Sequence, residues 1–195
     1  MKKIISLCIL ATVVMSYAVV YAATVNESLS SGIVRFHIIA NSDSEEDNRI
    51  KLDVRNYISD KLANSNISPY TEAYTKECEK LANIRLKELG AKYTAIAKFE
   101  RVYIPMKSYK EITLPSGYYN AVRLILGEGE GENWWCVAYP ALCFSEEMEG
   151  ELTQKGTEKL IKIIPKDIYE MITDDVKYKL YLVDLVGKLL EKTSR

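Results

Sequence analysis

The sequence predicts an α+β fold: a single domain in which helices flank a small mixed or antiparallel sheet. Three observations support this prediction. An apolar strand is followed by two helical stretches, the middle of the chain is rich in strands, and the C-terminal part is again helical. With 195 residues, 48% of them apolar and 27% charged, the chain has the composition of one folded domain.

The N-terminal stretch has the composition of an export signal. Two lysines precede residues 4–23, which contain no charged side chain. Small residues at the −3 and −1 positions predict cleavage after Ala22, whereas the length of the uncharged stretch also suits an uncleaved anchor. We therefore expect residues 1–23 to be a signal peptide or a membrane anchor, and residues 30–195 to form an exported α+β domain.

The first strand is predicted in residues 32–41, GIVRFHIIAN, which are apolar and rich in β-branched side chains. Successive side chains of a strand point to opposite faces, and here one face is wholly apolar and should look into the core. The core face holds Val34, Phe36, Ile38 and Ala40, and the other face holds Arg35, His37 and Ile39.

Two helices are predicted to follow this strand. The first begins at Ser42 or Ser44, continues with acidic residues that favour the positive end of a helix dipole, and runs to about Ala63. The second begins at Ser68, which would cap it ahead of a proline in the first turn, and ends at Gly90.

The middle of the chain predicts strands. Tyr93–Tyr103 and Tyr118–Gly127 are expected to pair in an antiparallel way, with a turn at Leu114–Gly117 before the second strand. Trp134–Phe144 is expected to return alongside that second strand. The two C-terminal helices are predicted at Glu158–Ile164 and Asp174–Glu191.

The cysteines agree with export. Cys8 lies in the apolar N-terminal stretch, and Cys78 is expected on the buried face of a helix as an unpaired thiol. Cys136 and Cys143 flank a turn favoured by Pro140, which predicts a disulfide between them. Two reduced core cysteines, or a pairing of Cys136 with Cys78, are the alternatives. Of the one histidine and three exported cysteines, two cysteines are expected to pair with each other, which leaves too few ligands for a regular four-ligand zinc site. We therefore expect no metal and no cofactor.

The charge pattern argues against nucleic acid as a partner. The formal net charge is −1, and the sequence has no basic stripe. The glycine-rich stretch GEGEGENWWC in residues 127–136 is not a phosphate loop, because its glutamates would repel phosphate. It is either a solvated turn or a loop that presents Trp134 and Trp135 to a partner.

His37 is the only histidine of the chain, and it lies near Asn41 and Asp43 in the sequence. A catalytic Ser-His-Asp site would need a geometry that the sequence does not reveal, and no nucleophile-elbow motif is present. We therefore expect no catalytic residue, and a structural or interface role for His37.

Two stretches resemble the stage II sporulation protein R family. The first is RFHIIANSDSEED in residues 35–47, with KLDVR in residues 51–55 close behind. The second is LPSGYYNAVRLILGEGEGENWWCVAYPALCF in residues 114–144. The resemblance implies a signalling protein rather than an enzyme, exported towards the space between forespore and mother cell. There it would activate a membrane-embedded aspartic protease of the mother cell, which removes the pro-sequence of the sigma-E precursor.

This resemblance supplies the candidate partner-binding residues by motif membership alone. They are His37, Asn41, Asp43, Asn133, Trp134 and Trp135. Two other functions remain as alternatives. One is a secreted cell-wall hydrolase acting in the intermembrane space with a site around His37 and Asp43. The other is a structural module that bridges two membranes through an uncleaved anchor.

Overall fold

The computed structural model describes residues 2–63, 65–109, 112–140 and 154–173, together with 181, 183–185 and 188. Its helices are α1 (Lys2–Gly32), α2 (Glu45–Leu62), α3 (Glu72–Glu88), α4 (Gln154–Ile163) and α5 (Lys166–Thr173). Its strands are β1 (Val34–Ile39), β2 (Ala95–Ile104), β3 (Lys107–Tyr109), β4 (Ile112–Leu114), β5 (Gly117–Leu126) and β6 (Asn133–Tyr139). The predicted α+β class is confirmed.

The main sheet is mixed, with the strand order β2-β5-β1-β6. β1 runs parallel to β5, whereas β2 pairs with β5 and β6 pairs with β1 in an antiparallel way. The expectation that β6 returns alongside β5 is wrong, because β1 lies between them. A central position suits β1, since its six residues are all buried. β3 and β4 form a separate two-stranded sheet that the sequence did not predict.

Each face of the main sheet is covered by different elements. Helices α2 and α3 pack on one face, where Val34, Phe36 and Ile38 meet the apolar stripes of both helices. We call this the α2–α3 face. The opposite face, which we call the α1 face, packs against α1, the β3–β4 sheet, α4 and α5 through residues such as Tyr119 and Ala121. Both cores exclude water from apolar side chains, which is the main favourable contribution to folding.

The helix ends follow local capping chemistry. Ser44 caps α2, because its hydroxyl accepts a hydrogen bond from the backbone N–H of Asp47 at 3.1 Å. The predicted start of the second helix at Ser68 is wrong. The carbonyl of Ser68 closes a turn with the N–H of Thr71, and Thr71 caps α3 instead. The predicted stop at Gly90 is confirmed by its φ of +73° directly after the helix.

Helix α1 joins the uncharged N-terminal stretch to the domain without a break. None of residues 2–20 is buried, whereas Ala22, Val25 and Leu29 are buried in the core of the α1 face. Within the described part of the chain, α1 is the one helix that is long and apolar enough to cross a membrane. It is therefore compatible with a signal peptide or with an anchor.

The C-terminal region matches the prediction in part. Helix α4 ends at Ile163, near the predicted end, but it begins at Gln154, earlier than expected. Helix α5 starts directly after Pro165 and was not predicted. Most of the predicted helix Asp174–Glu191 lies outside the described residues, and the described positions within it are helical.

Candidate functional site

The two sequence motifs meet at one end of the main sheet. β1 and β5 are parallel, so their carboxyl ends lie at the same edge. The segment after β1 (residues 40–47) and the segment after β5 (residues 127–132) are therefore neighbours, and we call them together the motif junction. Their backbones are joined by hydrogen bonds from Gly131 N–H to Ala40 O (3.0 Å), from Glu130 N–H to Asn41 O (3.2 Å) and from Ala40 N–H to Glu132 O (3.2 Å).

Glycines allow this close approach of two backbones. A Cβ atom on Gly131 would lie 2.1 Å from the carbonyl oxygen of Ser42, which is closer than any real contact. Gly129 has a φ of +67°, and a Cβ atom there would lie 2.5 Å from the Ile125 side chain. The segment after β5 (residues 127–132), which we call the Gly-Glu loop, is thus packed against the first motif and the sheet, while its glutamates remain exposed.

Asp47 holds the motif junction together from the first turn of α2. Its carboxylate accepts hydrogen bonds from Asn41 Nδ2 (2.9 Å), Ser42 Oγ (2.5 Å) and Tyr93 OH (2.6 Å). Asn41 in turn accepts a hydrogen bond through Oδ1 from the backbone N–H of Glu128 at 3.0 Å. Burial by itself raises the pKa of the Asp47 carboxyl, but the three side-chain donors outweigh it and hold that pKa below its ordinary value.

Lys51 connects α2 to the Gly-Glu loop through its ammonium group. Its ammonium group is buried, and it donates to the carbonyl of Glu132 at 3.0 Å and to Asn48 Oδ1 at 2.8 Å. The Glu132 carboxylate lies 3.8 Å away. Burial lowers the pKa of Lys51, and the nearby negative charge of Glu132 opposes this effect. Sequence reasoning missed both Asp47 and Lys51, because each lies in a charge-rich helical stretch that is typical of a solvated surface.

His37, Asn133 and Trp135 come together on the α1 face of the sheet, next to the motif junction. The rings of His37 and Trp135 are stacked with centroids 3.5 Å apart and an interplanar angle of 16°. His37 Nε2 lies 2.6 Å from Asn133 Oδ1, so the neutral ring donates its Nε2–H to that oxygen. Burial lowers the pKa of His37 to about 4; the bond to Asn133 raises it, and the positive charge of Arg123 lowers it.

The other predicted site residues lie elsewhere. Trp134 faces the α2–α3 side, where it meets Phe36 edge-on and carries the Arg55 guanidinium 5.1 Å above its ring. Asn41 belongs to the motif junction. Asp43 is exposed at the start of α2, and its backbone carbonyl accepts a hydrogen bond from Asn48 Nδ2 at 3.4 Å. The structure therefore does not bring Asp43 to the ring of His37.

In this arrangement His37 is not poised to act as a general base near neutral pH. A general base works best with a pKa near the operating pH, whereas His37 is neutral, buried and engaged with Asn133. Among the described residues no group of three or more His, Cys, Asp or Glu side chains could hold a metal ion.

The cysteines are only partly described. Cys78 is buried and free, as expected, and burial raises the pKa of its thiol to about 12, so it is unreactive. Cys136 is buried in β6. Cys143 lies outside the described residues, so the disulfide between Cys136 and Cys143 stays a prediction.

The chain is similar to proteins of one known family. A family model described as stage II sporulation protein R matches residues 30–149, more than half of the chain. A relative named stage II sporulation protein R, from Bacillus subtilis (strain 168), is 29% identical over 222 aligned residues. The alignment covers 97% of this chain and 99% of the relative. No solved structure matches the chain.

Proposed function

Because this chain belongs to the stage II sporulation protein R family, we propose that it is an exported signalling protein of endospore formation. It leaves the forespore and acts in the space between forespore and mother cell. There it activates a membrane-embedded aspartic protease of the mother-cell membrane. The protease then removes the pro-sequence of the sigma-E precursor, and mother-cell transcription begins.

The motif junction is the observation that supports this proposal most. Two segments that are about 90 residues apart in the sequence form one hydrogen-bonded unit at one end of the sheet. The unit is held by backbone contacts and by the buried carboxylate of Asp47. A rigid frame beside an aromatic side chain such as Trp135 is what a protein-binding site requires, since little freedom is lost on binding.

Helix α1 supports an extracytoplasmic location. Its apolar part is compatible with either a signal peptide or an anchor, and an exported domain is expected after either of them. An oxidising compartment also suits a disulfide between Cys136 and Cys143. Cys8 and Cys78 are free, which leaves Cys143 as the candidate partner among the four cysteines of the chain.

Co-expression tests the proposal directly. The full chain would be produced in a non-sporulating host together with the candidate membrane protease and a tagged sigma-E precursor. We expect precursor cleavage that depends on this chain and disappears with a catalytically inactive protease. No cleavage, with the chain exported and folded, would contradict the proposal.

Two substitutions separate signalling from a wall-hydrolase activity. Trp135→Ala should reduce precursor cleavage while leaving the domain folded, and Leu52→Ala, on the exposed side of α2, serves as the matched control. We expect the wild-type protein to have no wall-hydrolysing activity, so His37→Ala should cause no loss of such activity. If wild-type protein releases wall fragments and His37→Ala does not, the signalling proposal gives way to the hydrolase.

A further inference from the structure

The α1 face of the main sheet is covered over only part of its length. At the end near α1, Tyr119, Ala121 and Val137 are fully buried. At the other end, Ile96 is 54% exposed, Lys98 is exposed, and Arg123, Ile125 and Trp135 are half-buried. The β1 side chains between them, His37 and Ile39, remain buried. We call this part the open surface. Its members are Ile96, Lys98, Arg123, Ile125 and Trp135.

Strand register arranges the open surface in two rows. Directly opposed residues of neighbouring strands share a face, so each row crosses all four strands. One row is largely apolar and the next combines cations with aromatic rings. The apolar row is Ile96, Ile125, Ile39 and Asn133, and the second row is Lys98, Arg123, His37 and Trp135.

Several polar groups of the second row lack partners within the described part of the chain. His37 Nδ1 and Arg123 Nε are buried without a hydrogen bond, although Arg123 Nη1 forms an ion pair with Glu100 Oε1 at 2.9 Å. Lys98 is exposed and has no ion pair with a described residue. Native proteins leave few buried polar atoms unsatisfied, and each one calls for an explanation. Here two of them lie side by side on paired residues of β1 and β5.

The motif junction borders the open surface with negative charge. The Gly-Glu loop crosses the sheet where Gly129 meets Ile125, so Glu128 and Glu130 flank the apolar row. These acids form an acidic rim in which, within the described ranges, only Glu132 has an ion-pair partner, Lys51. The exposed members of the rim are Glu128, Glu130 and Glu132.

The open surface lies at the end of the sheet that is remote from the apolar helix. The buried half of α1 contacts the first residue of β5, because a Cβ atom on Gly117 would lie 2.0 Å from Asn26 Oδ1. The open surface begins six residues further along β5, at Arg123, about 20 Å away for an extended strand. If α1 enters a membrane, this surface points away from it.

We propose that the open surface is the docking site for a basic segment of a partner protein. An apolar side chain of that segment packs on Ile96 and Ile125, and its lysine or arginine side chains face the acidic rim. This proposal rests on the function proposed above, in which the partner is the extracytoplasmic part of the membrane protease. The unpaired glutamates of the rim favour a basic segment, and the exposed isoleucines require an apolar contact within it. Glu100 already neutralises Arg123, which leaves Lys98 as the one cation of the open surface without an ion pair in the described part of the chain.

Single substitutions in the co-expression system test the surface. Ile96→Glu places a charge in the apolar row and should reduce the rate of precursor cleavage by about tenfold or more. Ile161→Glu is the matched control, because Ile161 is 50% exposed on α4, away from the open surface. Its cleavage rate should equal that of the wild type. Equal rates for Ile96→Glu and Ile161→Glu, with both chains folded by circular dichroism, would overturn the docking site.

Charge reversal tests the acidic rim separately. Glu128→Lys with Glu130→Lys should reduce cleavage by about tenfold, whereas Asp167→Lys with Glu170→Lys on α5 should not. Rates that remain unchanged in the first double variant would contradict a basic partner segment. No cleavage with the wild-type chain would instead overturn the proposed function, so the two failures are distinguishable.

A photo-crosslinking residue at position 96 identifies the occupant. A crosslink to the co-expressed protease, absent when the residue stands at position 161, supports the docking site. A crosslink to a second copy of this chain would replace the proposal with self-association through the same surface.

Discussion

Arg35 and His37 are two residues apart on the same face of β1, yet their surroundings differ. Arg35 is fully buried at the covered end: Nε donates to Cys136 O at 3.0 Å, and Nη2 donates to Tyr109 OH at 2.7 Å. His37, at the end of the sheet that stays open, is shielded mainly by the ring of Trp135. One alternating strand thus lies in the covered core at one end and beside the proposed docking surface at the other, and only the covering elements distinguish the two ends.

Removal of Arg35 should have the largest effect on stability. Arg35→Ala leaves a cavity and unpaired polar groups in the covered core, so we expect the free energy of unfolding to fall by about 3–5 kcal/mol. Arg35→Met fills the space and should lose less. Urea unfolding of the full chain in mild detergent measures both. Lys98→Ala on the open surface should stay within about 0.5 kcal/mol, and an equal loss there would remove the contrast between the two ends.

Acidification should have the second-largest effect on stability, because it protonates His37 at the open end of the sheet. The folded protein holds the pKa of His37 at about 4, below its ordinary value of 6.5. Between these pH values the unfolded chain binds a proton that the folded chain does not. The stability that the neutral ring provides is therefore complete above about pH 6.5 and is lost as the pH falls to about 4.

The loss over this interval should reach about 3 kcal/mol. Unfolding as a function of pH measures it, and His37→Phe, which keeps an aromatic ring but does not titrate, should lack this pH dependence. Because His37 is the only histidine, NMR titration of its ring gives its pKa without ambiguity. A measured pKa near 6.5 would show that His37 is as solvated as the rest of the open end.

Adding a methyl group at the motif junction should lower the free energy of unfolding by a moderate amount. Gly131→Ala forces its Cβ against the carbonyl oxygen of Ser42 and should reduce stability by about 1–3 kcal/mol. Gly90→Ala is the control, since Gly90 has a positive φ but nothing within 4 Å of an added Cβ. It should lose only about 1 kcal/mol. Thermal unfolding measures both values. Equal losses of stability would mean that the backbone at the motif junction shifts easily to accommodate a Cβ atom.

Truncation of Trp135 should have the smallest effect on stability and a clear effect on His37. Trp135→Ala removes the stacked ring, which contributes about 1 kcal/mol. It also exposes the imidazole, so the pKa of His37 should rise from about 4 towards 6.5. Trp134→Ala, which alters the opposite face, should leave that pKa unchanged. NMR titration of the two variants makes the comparison, and equal pKa shifts would show that the faces are coupled.

Local patterns were enough to predict most of the elements. The alternation of apolar residues predicted β1, and the turn and glycine signals predicted β5 and the end of α3. Errors arose where two local signals competed: Ser68 offered a plausible cap, but its carbonyl closes a turn and Thr71 caps the helix instead. The short β3–β4 sheet gave too little periodicity to be recognised.

The candidate site could be predicted only as a set of motifs. The sequence indicated His37, Asn133 and Trp135, but it also grouped Trp134 and Asp43 with them. Strand alternation places Trp134 on the opposite face, and the helix start leaves Asp43 in solvent. Asp47 and Lys51 lie in the two stretches that resemble the family, at residues 35–47 and 51–55, but nothing marked them as buried. A charge run looks the same in sequence whether or not one of its members is buried.

The sequence by itself determined the class of the fold, the apolar N-terminal helix and the two motifs, since each depends on residues that are close in the chain. The tertiary structure alone decided that β1 lies between β5 and β6, that the two motifs join, and that Asp47 is buried between them. The physical reason is that strand order and the burial of a charge depend on long-range packing. The packing that forms is the arrangement of the whole chain with the lowest free energy, and no short stretch of sequence determines that arrangement.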